Sequence, residues 1–221
     1  LVCIPKINMK ILLVYLKEDE KLKACLNSLK KYSPELEVIK IKADNTTKIA
    51  EEIYNKKVDE INDDIMIWHP DMLATKDWYE KLKEFKLYDI TGVKLIYPNG
   101  MINHFGGWIR HDGMGIHPHQ YCKDIGFDNP IECPYVTGPG MIIKKEVFKK
   151  IKWDTQFTYF VDVDFCFQAR EKGFSVGVIP VKLIHSEGED GFKKRSIEKT
   201  QELQFESWKR FISKWMYILS N

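Results

Sequence analysis

The chain has 221 residues, with 34 Lys and Arg against 32 Asp and Glu and a net charge of +2. That balance leaves no broad basic field, so nucleic acid is not an expected partner. No apolar run approaches the ~20 residues that a bilayer-spanning helix needs. The five cysteines form no CxxC pair, which suits reduced thiols in a cytoplasmic protein better than a disulfide framework.

Residues 1–9 lack the layout of a signal peptide and read as an extension, leaving 10–221 as a single domain. Residues 10–16 make a short buried strand bounded by charge. Leu22, Leu26 and Leu29 fall at helical spacing over 19–31, and Ser33-Pro34 ends that run. A second strand follows at 37–41 and a second helix at 46–57. The strand at 64–68 runs straight into His69-Pro70-Asp71, and a helix covers 76–86. Strand and helix alternate through this half, which predicts an α/β fold with a mostly parallel sheet and helices on both faces.

The middle differs. Residues 90–96 are strand-like, Pro98-Asn99-Gly100 marks a turn, and Gly106-Gly107 a second break. Residues 110–134 carry little periodicity and read as a long loop, of a length that is usually functional or mobile. A strand at 141–143, a helix at 145–151, a helix opened by Asp162 or Asp164, and a strand at 174–179 leading to His185 come next. A long amphipathic helix over 195–219 closes the chain.

Several side chains are placed for chemistry. Asp71 follows a strand end, where open α/β sheets put ligands, and could hold Mg²⁺ or Mn²⁺ against a diphosphate; it could equally begin a turn. Of Asp162 and Asp164, one is expected to cap the helix and the other to face a cleft. His185 sits at a strand mouth as a ligand or a structural histidine. His117, His119, Cys122 and Cys133 match no usual zinc spacing. Neither phosphate-loop pattern, GxxxxGK[ST] or GxGxxG, occurs.

Six segments in order carry a resemblance: Leu22 with Cys25-Leu26 and Ser28-Leu29; Ala43-Asp44-Asn45-Thr46-Thr47; Ile65 to Asp71 with Trp78; Val136 to Ile143; Tyr159 to Cys166; and Pro180 to Gly188. Together they resemble the family 2 glycosyltransferases, especially the bacterial branch that builds surface polysaccharides and includes rhamnosyltransferase-like enzymes. The resemblance implies a GT-A fold and an inverting transfer from a UDP- or dTDP-sugar to a glycan, lipid-linked or protein acceptor. It makes Asp162 the catalytic base and Asp44 the contact to the nucleotide base. Asp71 becomes the metal-binding acid of a DxD motif, with Mn²⁺ or Mg²⁺ as cofactor and His185 completing the metal site. Gly138 lies in the strand lining the donor and acceptor cleft. His69 stands where the first acid of DxD would be, so the metal is expected to rest on Asp71, His185 and donor phosphates. Val161 replaces the glutamate before the base.

The middle segment, with His104, Trp108 and His117, reads as an acceptor lid. Asp164 is grouped with that side, inside the first helical turn, where it also favours the helix dipole. On the last helix, Trp208, Phe211, Trp215, Ile218 and Leu219 predict a face packed on the domain. The alternative for that helix is peripheral contact with the inner face of a membrane. A nucleotidyltransferase would need a Gly-rich basic loop where Lys17-Glu18-Asp19-Glu20 stands. A catalytically silent nucleotide-sugar or glycan-binding domain would share most of these segments.

Overall fold

A computed structural model describes residues 8–43, 49–186 and 196–219. The strands are β1 (Met9–Tyr15), β2 (Val38–Lys42), β3 (Asp64–Trp68), β4 (Met72–Leu73), β5 (Ile90–Ile96), β6 (Ile102–His104), β7 (Trp108–Ile109), β8 (Gly115–Ile116), β9 (Ile131–Glu132), β10 (Ile142–Ile143) and β11 (Val176–His185). The helices are α1 (Glu20–Tyr32), α2 (Ile49–Val58), α3 (Trp78–Leu82), α4 (Lys145–Phe148), α5 (Val161–Glu171) and α6 (Ile197–Leu219).

The main sheet runs β2-β1-β3-β10-β5-β11-β4, with β6 on β5 and β9 on β11. Strand β1 is parallel to β2 and β3, and β5 is parallel to β11. The two-residue β10 is antiparallel to both β3 and β5, so the five long strands all point the same way. Central strands covered on both faces read as continuous apolar runs. Ile11, Leu12 and Leu13 of β1 are accordingly all buried. One face of the sheet packs a core that includes Val58, Phe165, Phe211 and Trp215. The other packs Leu22, Cys25, Leu29 and Trp78.

Helix α1 starts where Asp19 accepts a hydrogen bond from Leu22 N at 3.0 Å, satisfying one orphan N–H of the first turn. In β11 the register with β5 shifts between Ile179 and Lys182, around Pro180, which has no N–H for the ladder. The strand then continues to His185, well beyond the 179 expected from the sequence. In β5, Lys94 is fully buried. Its ammonium reaches Asp124 at 2.8 Å and the Phe127 carbonyl, and it lies 4.7 Å from the Phe105 ring centroid. This buried cation pins the 110–134 segment to the sheet. The segment also contains β8 and β9, so the expected unbroken loop is interrupted.

On α6, Phe211 and Trp215 are buried against the Phe160 and Phe167 rings, as the packed-face expectation requires. Ile218, expected on that face, is instead exposed, as are Phe205, Met216 and Tyr217. Among the described residues no helix is long and apolar enough to cross a membrane.

Candidate active site

The site is built where strands end. Strand β3 stops at Trp68, and the chain turns through His69-Pro70-Asp71 into β4. Strand β4 pairs with the last residues of β11, His185 opposite Met72. That pairing gathers His69, Asp71 and His185, whose ligand atoms lie within 4.8 Å of one another. His185 Nε2 is 3.5 Å from Asp71 Oδ1, and His185 Nδ1 is 3.0 Å from Asn103 Oδ1. An amide oxygen only accepts, so Nδ1 carries a proton, and in the neutral ring Nε2 is the nitrogen left to ligate. Asp71 Oδ1 is itself buried without a hydrogen-bond partner among the described residues. The cluster thus sets a carboxylate oxygen and two imidazoles within reach of one cation.

The charge states agree with that use. Burial, reinforced by His185 beside it, pushes His69 down to about 4, so it is a neutral imidazole at pH 7. Burial would raise the Asp71 carboxyl, but His185 and His69 outweigh it, and the group sits below its ordinary value. Two imidazoles and one carboxylate make a metal-binding donor set. The sequence-based expectation left His69 out of the metal site; the fold brings it in. The signal was the His-Pro-Asp spacing at a strand mouth, obscured because the position was read as a lost acid.

Gly138 joins this cluster to Asp162. Its backbone N–H donates to Asp162 Oδ2 at 3.1 Å, and a Cβ on Gly138 would sit 3.9 Å from His69 Nε2. Two residues on, Gly140 has φ +74, and any Cβ there would lie 2.6 Å from Val93 Cγ2, so the turn into β10 needs glycine. Asp162 Oδ1 also accepts from Val163 N at 2.9 Å. Burial raises the Asp162 carboxyl despite these two bonds and the nearby His117. Helix α5 begins one residue earlier than expected. Its N-cap position is Phe160, at φ 62 with no side-chain cap bond, so neither aspartate is the N-cap residue.

No protein-family description and no curated protein matches the sequence. Solved structures of glycosyltransferases do resemble it in three dimensions. S. aureus TarS 1–349 superposes with a TM-score of 0.55 at 11% identity, over 81% of this chain and 60% of that one. The same protein in complex with UDP gives 0.57 at 11% identity, over 93% and 72%. The mannosyltransferase PcManGT from Pyrobaculum calidifontis, in complex with GDP-Man and Mn²⁺, gives 0.55 at 9% identity, over 84% and 58%. The fold is GT-A. At such identities the likeness concerns architecture, and this chain spans about 60% of the length of TarS 1–349.

The remaining expected residues of this GT-A domain separate into two groups. His104 and His117 come together, with Nδ1 atoms 2.7 Å apart, on the side of Asp162. Trp108 is half-buried in β7 with its ring against Gly106, and it packs on the core. Asp164 does not belong to the acceptor side. It is fully buried and accepts from Trp215 Nε1 at 2.8 Å, Gln168 Nε2 at 2.7 Å and Lys214 Nζ at 3.0 Å. It does lie in the first turn of α5, as expected, but its partners are side chains, two of them on α6. Asp44 lies outside the described residues. His119 stacks on Phe127, Cys122 is exposed, and the buried Cys133 donates to the Tyr135 carbonyl.

Proposed function

We propose that this domain is an inverting glycosyltransferase that takes a UDP- or dTDP-sugar and transfers the sugar to a hydroxyl of a glycan, lipid-linked or protein acceptor. One observation carries the reading. The unpartnered Asp71 oxygen in the His69–Asp71–His185 cluster and the Asp162 carboxylate are linked through a single residue, Gly138. Leaving-group stabilisation and proton abstraction are thereby adjacent.

Asp162 accepts the proton of the acceptor hydroxyl, whose oxygen bonds to the anomeric carbon as the bond to the nucleoside diphosphate breaks on the opposite face. A carboxylate raised by burial is a stronger base than an exposed one. The Gly138 and Val163 N–H groups orient it. His69, Asp71 and His185 would hold a divalent cation, with Asn103 orienting the His185 ring for ligation. When bound, that cation neutralises charge on the departing diphosphate. Two imidazoles suit Mn²⁺ better than Mg²⁺, which prefers an all-oxygen shell. Asp44, as an obligate acceptor, would take the imide N–H of uracil or thymine. Four free cysteines among the described residues fit a reducing compartment, and we place the protein in the cytoplasm.

The test is a thermal-shift screen of UDP-, GDP-, dTDP- and CMP-sugars with Mn²⁺, Mg²⁺ or neither, followed by donor hydrolysis. Ligands that bind the native state raise its melting temperature by mass action. Stabilisation by a UDP- or dTDP-sugar that needs Mn²⁺, with release of the diphosphate, is expected. Binding without turnover would leave a silent binder, and no binding would overturn the reading.

A further inference from the structure

Ser207, Arg210, Phe211, Lys214 and Trp215 recur at the spacing of a single face of α6. All of them reach the stretch from Asp154 to Asp164 that leads into α5. Arg210 and Lys214 meet Asp154 at 3.1 and 3.2 Å. The Phe211 ring lies 5.2 Å from that of Phe160, and Lys214 and Trp215 hold Asp164. Ser207 is buried, and its hydroxyl oxygen accepts two backbone bonds, from Tyr159 N at 3.1 Å and Thr158 N at 3.3 Å. Helix α6 thus grips both ends and the middle of the stretch. Asp162, inside it, bonds instead to the N–H groups of Gly138 and Val163.

The residue between the two N–H groups and the helix is strained. Phe160 has φ 62 and ψ 13, a left-handed conformation that a bulky side chain rarely adopts because its Cβ crowds the carbonyl. Strain of this kind persists only where the surroundings over-determine it. Here the surroundings are α6, since Ser207 fixes the two peptide groups before Phe160 and Phe211 fixes its ring. The Phe160 carbonyl accepts the first helical bond, from Asp164 N at 2.8 Å, so the turn also sets where α5 begins. Asp162 lies two residues beyond Phe160. The direction in which its carboxylate leaves the helix, toward Gly138, follows from the shape of this turn.

We propose that Ser207 is a positioning residue for the Asp162 carboxylate. Its oxygen holds the Thr158-Tyr159 peptide groups in the shape that keeps Phe160 left-handed and aims Asp162 at the Gly138 N–H. The part played in transfer rests on the reading of Asp162 as the base. Ser207 acts through the backbone alone, from a helix outside the strand ends that build the site. Without the oxygen, two part-buried N–H groups lose their acceptor, and the turn relaxes to recover partners. A carboxylate displaced by about 1 Å is enough to slow a reaction that depends on its position by up to about two orders of magnitude.

Two measurements on the full chain test it. Amide hydrogen exchange at Gly138 reads whether Asp162 still accepts that N–H, and Gly138 belongs to neither helix. Ser207→Ala should speed exchange at Gly138 about tenfold while the amides of β1 stay protected. Ser207→Thr, which keeps the oxygen, should restore the slow rate. In transfer assays Ser207→Ala should lower kcat about 10–100-fold, with the donor KM and Mn²⁺ affinity changed less than about twofold. Phe167→Leu loosens α5 against Phe211 and Trp215 farther along the helix. It should lower Tm yet leave kcat and Gly138 exchange near the parent values. Unchanged Gly138 exchange in Ser207→Ala, or the same losses in Phe167→Leu, overturns the assignment. Exchange is read without turnover, so a parent that consumes no nucleotide sugar would overturn the glycosyltransferase reading and leave the aiming of Asp162 by Ser207 to stand or fall on Gly138.

Discussion

Replacing Asp164 with asparagine keeps the shape of the side chain and removes its charge. An ionised carboxylate offers about four acceptor sites and no donor. The donors around Asp164, from Trp215, Gln168 and Lys214, match that inventory. Asparagine keeps one acceptor oxygen and turns an NH₂ group toward at least one of these donors. The loss is one charge-assisted hydrogen bond, about 1.5–3 kcal/mol, and a buried donor without an acceptor, about 1–3 kcal/mol. Lys214 keeps a second partner, Asp154 at 3.2 Å, so its charge is not stranded. The expected total is therefore near the low end of that sum, ~3 kcal/mol. At ~2–4 °C per kcal/mol for a chain of this size, Asp164→Asn should lower Tm by roughly 6–12 °C. Thermal melts of Asp164→Asn, Trp215→Phe and the double variant make a cycle whose coupling should reach about 1 kcal/mol or more. A Tm within about 1 °C of the parent, or fully additive single effects, would refute the view that this carboxylate anchors α6.

Asp162→Asn should leave donor binding in place and reduce transfer by about two orders of magnitude or more, measured as diphosphate release and product formation. Asn103→Leu should weaken Mn²⁺ binding about 10–100-fold by freeing the His185 ring, as read by titration calorimetry. The pH dependence of the metal-free protein follows from His69, whose folded value of about 4 lies below its ordinary 6.5. The unfolded chain takes up a proton that the folded chain refuses, so stability should fall as pH drops from about 6.5 toward 4, and His69→Gln should remove that part of the slope in urea melts. Gly140→Ala should cost about 1–3 kcal/mol from the left-handed φ alone, and more from the Val93 contact, checked by denaturant titration.

The alternation of strand and helix over the first hundred residues was legible because buried parallel strands and amphipathic helices leave strong periodic patterns. So was the placement of Asp71, Gly138, Asp162 and His185, which resemble motifs at strand and helix ends. Strands β4 and β6–β9 were not legible, since two or three residues hold no period. The grouping of His69 with Asp71 and His185 was not legible, because it depends on the pairing of Met72 with His185, more than a hundred residues apart. Asp164 looked like Asp162 in sequence, and what separates them is α6, whose Lys214 and Trp215 lie some fifty positions on. The burial of Lys94 left no signal in its strand, because the aspartate and carbonyl that satisfy it come from the aperiodic middle segment.

Strand β10 has a bearing on the order of assembly. It fills the place between β3 and β5, joining to each by two antiparallel residue pairs, Ile142 with Met66 and Thr91, and Ile143 with Ile65 and Ile90. A ribosome that has released only the first 120 residues has therefore made two sheet fragments with a gap at the centre. β2-β1-β3 can pair on one side, while β5 and β6 wait on the other without β11. Contacts of such sequence separation form slowly, and the unpaired edges of β3 and β5 stay open to other chains meanwhile. Closure comes with residues 142–143, and the Val136–Ile143 segment that closes it also carries Gly138. The sheet thus becomes continuous in the same stretch of synthesis that delivers the residue between the His69–Asp71–His185 cluster and Asp162.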